Sequence, residues 1–84
     1  MKNKILVEIS IPLIEKSYDL YIPINKKIGT IKTLIEESLK DLTDNIYIPK
    51  PESNFYSKTT GEIYNVNHSV RETDLQNGSK IVLI

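Results

Sequence analysis

Few residues of this chain could do chemistry, and their spacing favours no reaction. His68 is the single histidine and lies in the polar stretch 65–69. A general base or a metal ligand needs oriented partners, and the chain has no second histidine and no cysteine to supply them. We therefore interpret His68 as a solvated loop residue and predict no metal site.

The adjacent carboxylates Glu36 and Glu37 and the isolated glycines are the other features that could mark a catalytic centre. Lysines flank the two carboxylates at helical spacing, which is typical of a solvated helix face. A phosphate-binding loop needs clustered glycines, whereas Gly29, Gly61 and Gly78 lie far apart and each suits a turn. The sequence therefore predicts no catalytic residue and no cofactor, and we expect that the protein is not an enzyme.

The densest group of positive charge comprises Lys26, Lys27 and Lys32. It is either a solvated loop or a site for an acidic partner or phosphate group near the start of a helix. Across the chain, 11 Lys and Arg residues balance 11 Asp and Glu residues, and Arg71 is the only arginine. Because this balance creates no overall field toward phosphates, we predict no nucleic-acid partner.

The length of 84 residues predicts one domain, spanning residues 1–84, because a chain of this size encloses one hydrophobic core. Its 39% hydrophobic and 26% charged residues are ordinary for a soluble globular protein. No apolar run approaches the roughly 20 residues of a membrane-spanning helix, and alternation rather than a signal-peptide core follows the first residues. We expect a cytoplasmic protein without direct membrane insertion.

Alternating residues at the start of the chain predict a β-hairpin. Over residues 4–12 one face is apolar, and a second alternating run follows a short connection and stops at Pro23. The residues predicted to point inward are Ile5, Val7, Ile9, Ile11, Tyr18, Leu20 and Ile22. Leu6 and Tyr21 are predicted to lie on the opposite, outward face.

A helical period begins near Ile31. Thr30 is the predicted N-cap, after a glycine that lets the chain turn, and Glu36 is predicted to face outward. The residues predicted to form the apolar stripe are Ile31, Leu34, Ile35, Leu39 and Leu42. A helix of about this length is marginal alone, so we expect it to cover the inward face of the hairpin.

The second half of the chain predicts shorter elements. Phe55-Tyr56 and Ile63-Tyr64 are strand candidates, Ser69 is a helix cap in the stretch 66–75, and a terminal strand follows the turn at Asn77-Gly78. Two antiparallel strands, a helix and a strand that returns beside the first form the β-grasp plan. We therefore predict an α+β protein with a mixed sheet of four to five strands covered by one helix.

Two segments of the sequence resemble ubiquitin. They are Gly29–Leu34, which is similar to the start of its helix, and Ser69–Leu83, which is similar to its closing turn and strand. The segment Tyr56–Ile63 and the terminal Lys80–Ile84 resemble the second half of the YukD-like family, small bacterial ubiquitin-like proteins that accompany type VII secretion. The resemblance implies a non-covalent accessory or regulatory role and attributes no catalytic residue to this chain.

The closing residues, Ser79–Ile84, are predicted to be a strand with no glycine pair after it. In ubiquitin, conjugation uses a flexible tail that ends in Gly-Gly. We therefore expect that the chain is not conjugated. The alternative is a modifier or carrier that is activated at its C-terminus, and the missing glycines disfavour it.

The sheet face away from the helix is the predicted protein-binding surface. If Ile81 and Leu83 point toward the helix, alternation places four apolar residues on the open face: Leu6, Tyr21, Val82 and Ile84. A contiguous apolar patch on a wet face usually marks a binding site. We expect a larger cytoplasmic protein, such as a secretion component, to bind there; a homodimer seam and local packing under a loop remain alternatives.

Overall fold

The structure, a computed structural model, describes residues 3–84. Two strands, one long helix and two further strands follow in order, with single turns of 3-10 helix at Pro12–Ile14 and Val70–Glu72. The main elements are β1 (Lys4–Ile11), β2 (Lys16–Pro23), α1 (Ile28–Leu42), β3 (Phe55–Ser57) and β4 (Ser79–Leu83). Their order confirms the predicted sequence of elements.

The four strands form one mixed sheet with the order β2-β1-β4-β3. Strands β1 and β2 are the predicted antiparallel hairpin, β4 returns parallel to β1, and β3 pairs antiparallel with β4. The strand candidate at Ile63 forms only an isolated bridge with Tyr56. The fold is therefore α+β with a four-stranded mixed sheet and one helix, as predicted.

The hydrophobic core lies between α1 and one face of the sheet. The alternation predicted for the hairpin is confirmed, because every second residue of β1 packs inward and Ile22 of β2 is buried. The residues buried most completely come from all main elements: Val7, Ile9, Ile11, Ile22, Ile28, Ile31, Leu39, Tyr47, Phe55, Val70, Ile81 and Leu83. No α-helix within residues 3–84 covers the opposite face of the sheet.

The helix begins earlier than predicted, because backbone groups of a distant loop cap it. Its N-cap is Lys27, and the predicted cap Thr30 lies inside the first turn. The amide of Ile28 donates to the carbonyl oxygen of His68 at 2.8 Å, and the amide of Gly29 donates to that of Val66 at 3.0 Å. These carbonyls satisfy first-turn amides that a side chain would otherwise cap.

Gly29 lies close to the backbone of this loop, and its place is explained by that approach rather than by a turn. A Cβ atom at this position would lie 3.2 Å from the carbonyl oxygen of Val66, the atom that Gly29 binds. A side chain would therefore push the loop away from the start of the helix.

The residues that follow this loop also bond to the segment before α1. The amides of Val70 and Arg71 donate to the carbonyl oxygens of Lys26 and Ile24 at 3.0 and 2.9 Å. The loop and the segment around the start of α1 therefore exchange backbone hydrogen bonds in both directions. The predicted cap at Ser69 is confirmed.

The helix faces the core at a different angle from the one predicted. Leu34 is 53% exposed, whereas Glu36, predicted to be solvated, is only 3% exposed. Leu42, also predicted to be buried, is exposed because it is the last residue of the helix. Tyr47 and Lys50 of the segment after the helix cover Glu36 and bind its carboxylate. The apolar stripe was therefore predicted too wide on the Leu34 side, and the covered Glu36 side was missed.

Candidate protein-binding face

The sheet face opposite α1, called the open face below, carries the outward residues of all four strands. Strand register arranges these residues in rows that run across the sheet. Each row contains one outward residue of every strand that reaches it, so the register decides which of the predicted residues are neighbours.

The first row joins two of the predicted residues. Leu6 of β1 lies directly opposite Tyr21 of β2. The turn before β4 fixes the backbone of Leu6, because its amide donates to Oδ1 of Asn77 at 2.8 Å and its carbonyl oxygen accepts from the amide of Gly78 at 2.8 Å. Leu6 and Tyr21 therefore form a small apolar pair at one end of the open face.

The second row is charged. Glu8 of β1 lies between Asp19 of β2 and Lys80 of β4. Lys58, just beyond β3, reaches across the face and places its Nζ 3.7 Å from Oε1 of Glu8. We call Asp19, Glu8 and Lys80 the charged row; it carries two negative charges toward β2 and a positive charge toward β3.

The third row and the residues beyond it form an apolar end. Val82 of β4 lies between Ser10 of β1 and Tyr56 of β3, and both Val82 and Tyr56 are half-buried. Ile84 follows Val82 by two residues and is 65% exposed, and its amide and carbonyl both bond to the backbone of Asn54. The alternation that places Val82 on the open face extends to Ile84.

The hairpin turn lies beside this apolar end. Leu13, 63% exposed, and Ile84 both line a notch of about 100 Å³ whose walls are largely apolar. The core residues Ile11, Tyr47 and Leu83 also line this notch, so it opens at the end of the sheet rather than on the open face. We call Tyr56, Val82 and Ile84, together with Leu13 beside Ile84, the apolar end of the open face. A notch of this size has room for about one aliphatic side chain of a partner.

The four predicted residues do not form one contiguous patch, so the contiguity predicted for them is wrong, while their role in binding stays a prediction. Leu6 precedes Ser10, the β1 partner of Val82, by four residues, which is roughly 13 Å along an extended strand. The charged row fills that gap. Leu6 and Tyr21 are thus separated from Val82 and Ile84, although all lie on the predicted side of the sheet.

The sequence pattern predicted neither Tyr56 as a member of this surface nor Leu13 as its neighbour. The signal for Tyr56 was alternation, because its neighbours Phe55 and Ser57 are buried while Tyr56 points outward. Leu13 carried no periodic signal, since it lies in the turn of 3-10 helix that closes the hairpin.

The predicted basic cluster is divided. Nζ of Lys32 donates to Oε1 of Glu36 at 2.7 Å and to the carbonyl oxygen of Lys50 at 2.9 Å, and little of the Lys32 side chain is exposed. Lys26 and Lys27 are exposed to solvent. The interpretation of all three lysines as one ligand site is therefore wrong for Lys32, which is engaged within the fold.

Glu36 is the centre of a buried polar network. Oε2 accepts from the hydroxyl of Tyr47 at 2.7 Å and from the amide of Lys50 at 2.9 Å, while Lys32 binds the other oxygen. Burial by itself would raise the pKa of Glu36, but the hydrogen bonds from Lys32, Tyr47 and Lys50 outweigh it and lower the pKa. Burial, followed by the hydrogen bond to Glu36, raises the pKa of Tyr47.

His68 is exposed beside a shallow cavity of about 330 Å³ that Tyr64 and Asp74 also line. The hydroxyl of Tyr64 donates to Oδ1 of Asp74 at 2.9 Å, and burial raises the pKa of Tyr64. The backbone carbonyl of His68 caps α1. The observed contribution of His68 is thus made by its main chain.

Within residues 3–84, no helix is both long enough and apolar enough to cross a membrane. The same residues contain no group of three or more His, Asp or Glu side chains arranged to hold a metal ion.

Comparison with known proteins identifies the fold. No protein-family model matches the sequence, and no curated protein matches it at a significant level. A ubiquitin-like domain from Arabidopsis thaliana superposes with a TM-score of 0.72 at 17% identity, covering 98% of this chain and 77% of that one. Ubiquitin of Caldiarchaeum subterraneum superposes with a TM-score of 0.69 at 15% identity, covering 95% and 90%. The chain therefore has a ubiquitin-like β-grasp fold.

A third similar structure is part of a secretion complex. A chain of the MycP5-free ESX-5 inner membrane complex, a type VII secretion complex, superposes with a TM-score of 0.70 at 11% identity. The match covers 98% of this chain and 21% of that chain. The likeness is thus to one portion of a larger secretion protein and concerns the fold.

Proposed function

We propose that this chain is a non-catalytic ubiquitin-like module that binds a larger protein, non-covalently, through the apolar end of its open face. The observation that carries the proposal is the pairing of Val82 with Tyr56 on a face that no helix within residues 3–84 covers, next to exposed Ile84. Leu13, also exposed, lines a notch with Ile84. Apolar neighbours on a wet sheet face gain free energy when a partner removes them from water.

The surroundings of the apolar end suit a docking surface. Its apolar side chains would form the dry centre of an interface, and the neighbouring Ser10, Lys58 and Glu8 would form a polar rim. Lys58 already bridges Ser10 and Glu8 with its ammonium group at 3.4 and 3.7 Å. Charges at such a rim set orientation and association rate more than affinity.

We further propose that the partner is a component of a type VII-like secretion system and that binding takes place in the cytoplasm. The resemblance of residues 56–63 and 80–84 to the YukD-like family supports this proposal. The similarity of the fold to a portion of an ESX-5 inner membrane complex chain supports it independently. A small module of this kind would act as an accessory or regulatory subunit of that machinery.

Affinity capture from the native cell, with matched baits, tests both parts of the proposal. The wild-type chain and the variant Ile84→Asp with Leu13→Asp are compared; both altered residues are exposed, so we expect the fold to persist. A Lys26→Glu bait makes the same net change of charge at an exposed residue outside the apolar end and controls for surface charge elsewhere. A secretion component recovered with the wild type and the control but lost with the double variant supports the proposal. Equal recovery with all baits excludes the apolar end as the docking surface.

A further inference from the structure

Strand β2 forms a border of the sheet, and no described segment pairs with its outer edge. The amide of Ile24 donates to the carbonyl oxygen of Asn3 at 2.9 Å, so the backbone groups of Ile24 point toward β1. In an antiparallel pair every second residue points the same way, so this direction repeats at every second residue of β2 before Ile24. The backbone groups that point away from β1, toward the free edge of β2, therefore belong to Ser17, Asp19 and Tyr21. Pro23, next in this series, has no amide to satisfy.

The opposite border of the sheet is closed by the chain itself. The amide of Ser57 in β3 donates to the carbonyl oxygen of Glu62, and the amide of Tyr64 donates to that of Phe55, both at 2.9 Å. Because unpaired strand edges are templates for another strand, β2 is the edge of the described residues that can accept one.

A groove runs between this free edge and α1. It has a volume of about 240 Å³, and aliphatic side chains of β2 and α1 form its floor and wall: Leu20, Ile22, Ile31, Leu34 and Ile35. Leu34, one of the helix residues predicted to be buried, is exposed on this groove. Alternate residues of a strand added to β2 would point toward the groove, since successive side chains point to opposite faces.

The free edge also carries an unbalanced negative charge. Asp19 lies directly opposite Glu8, and like charges at this position of a sheet are unfavourable. Glu8 is close to Lys58, whereas Asp19 forms no ion pair with any of residues 3–84. A cationic side chain opposite Asp19 on an added strand would compensate this charge.

A second copy of this chain does not supply that cation. When two strands pair in register, opposite residues share a face of the sheet. A second β2 strand would therefore place one of its own open-face residues opposite Asp19: Ser17, Asp19, Tyr21 or Pro23. None of these is basic, so the charge favours a different protein over self-association.

We propose that the β2 edge binds an extended strand of a partner protein. In that strand, aliphatic residues at alternate positions enter the groove beside Leu34, and a Lys or Arg between them faces Asp19. The β2 edge and Tyr56 lie at opposite borders of the sheet, so this second surface can bind independently of the apolar end.

The direct test is an NMR titration of the isotopically labelled full chain with two blocked peptides. One has the sequence Gly-Val-Ser-Val-Lys-Val-Ser-Gly, and its counterpart carries Glu in place of Lys. The amides of Ser17, Asp19 and Tyr21 should shift, and the Lys peptide should bind roughly fivefold more tightly than the Glu peptide, the upper range for a cross-strand charge pair.

Three variants distinguish the contribution of the groove to peptide binding from that of the charge of Asp19. Asp19→Lys should reverse the preference for the Lys peptide over the Glu peptide. Leu34→Asp should weaken the binding of both peptides without reversing that preference. Glu52→Lys makes the same charge change outside the groove and should leave the preference unchanged. Shifts confined to Tyr56 and Val82, or no shift at millimolar peptide, would overturn the proposal, as would equal affinity for the two peptides in the wild type.

Discussion

The hydroxyl of Tyr47 donates a hydrogen bond to Oε2 of Glu36 at 2.7 Å, inside the fold. This contact ties the segment after α1 to the middle of the helix. The amide of Lys50 binds the same oxygen at 2.9 Å. The carboxylate therefore holds in place a stretch that contains two prolines, Pro49 and Pro51, and no strand or helix.

Glu36→Gln should destabilise the protein. The substitution keeps the size of the side chain but removes the charge that Lys32 and the two other donors bind. We expect a loss of about 1–3 kcal/mol in the free energy of unfolding, the usual cost of leaving buried polar groups badly paired. Urea denaturation of both proteins at neutral pH measures this difference.

Glu37→Gln is the matched control, because Glu37 is adjacent in sequence and exposed. Its free energy of unfolding should stay within about 0.5 kcal/mol of the wild type. Equal stability of the Glu36 and Glu37 variants would contradict the role assigned to the buried network.

The same carboxylate predicts how stability depends on pH. The pKa of Glu36 is lowered from its ordinary value of 4.5 in the folded protein. The unfolded chain therefore binds its proton more readily. The stability contributed by Glu36 is complete above the unfolded pKa and is lost as the pH falls through the folded pKa. The difference in stability between the wild type and Glu36→Gln should shrink below pH 4.5, and a constant difference from neutral to strongly acidic pH would contradict this assignment.

Much of the fold could be predicted because it depends on local periodicity. Alternation in residues 4–12 and 79–84 identified the inward faces of β1 and β4, and the change to helical spacing located α1. The burial of Glu36 could not be predicted in this way, since a carboxylate at helical spacing beside Lys32 also fits a solvated surface. What buries it is Tyr47, which follows by eleven residues and carries no periodic signal.

The sequence predicted on which face of the sheet the candidate residues lie, but not how they are arranged along that face. Alternation placed Leu6 and Val82 on the same side of the sheet, which the structure confirms. Their separation depends on the parallel register between β1 and β4, which pairs Val82 with Ser10. That register is fixed by tertiary contacts such as the bonds of Asn77 and Gly78 to Leu6.

Adjacent residues of α1 should respond very differently to truncation. Ile35 is buried against the sheet, so Ile35→Ala should cost about 2–4 kcal/mol in the free energy of unfolding. Leu34 is more than half exposed, so Leu34→Ala should change it by less than about 0.5 kcal/mol. Thermal and urea denaturation provide both values. A large loss for Leu34→Ala would show that this residue packs in the core, as its spacing had suggested.

The two ends of the open face should act independently in binding. Tyr21→Asp changes the end beyond the charged row and should reduce affinity for a partner at the apolar end by less than about twofold, because exposed charges this far apart are largely screened at physiological salt. Titration calorimetry with the captured partner measures this effect. A loss comparable to that of Ile84→Asp would restore the single patch that was first predicted.

Binding of the captured partner by the wild type, Ile84→Asp and Lys26→Glu tests the proposed function most directly. Each protein is first checked by NMR for an unchanged fold, and its affinity is then measured by calorimetry. We expect Ile84→Asp to weaken binding at least tenfold, because a charge would enter the dry centre of the interface. Lys26→Glu, outside the apolar end, should bind like the wild type. Unchanged affinity of Ile84→Asp for the partner would contradict docking through the apolar end.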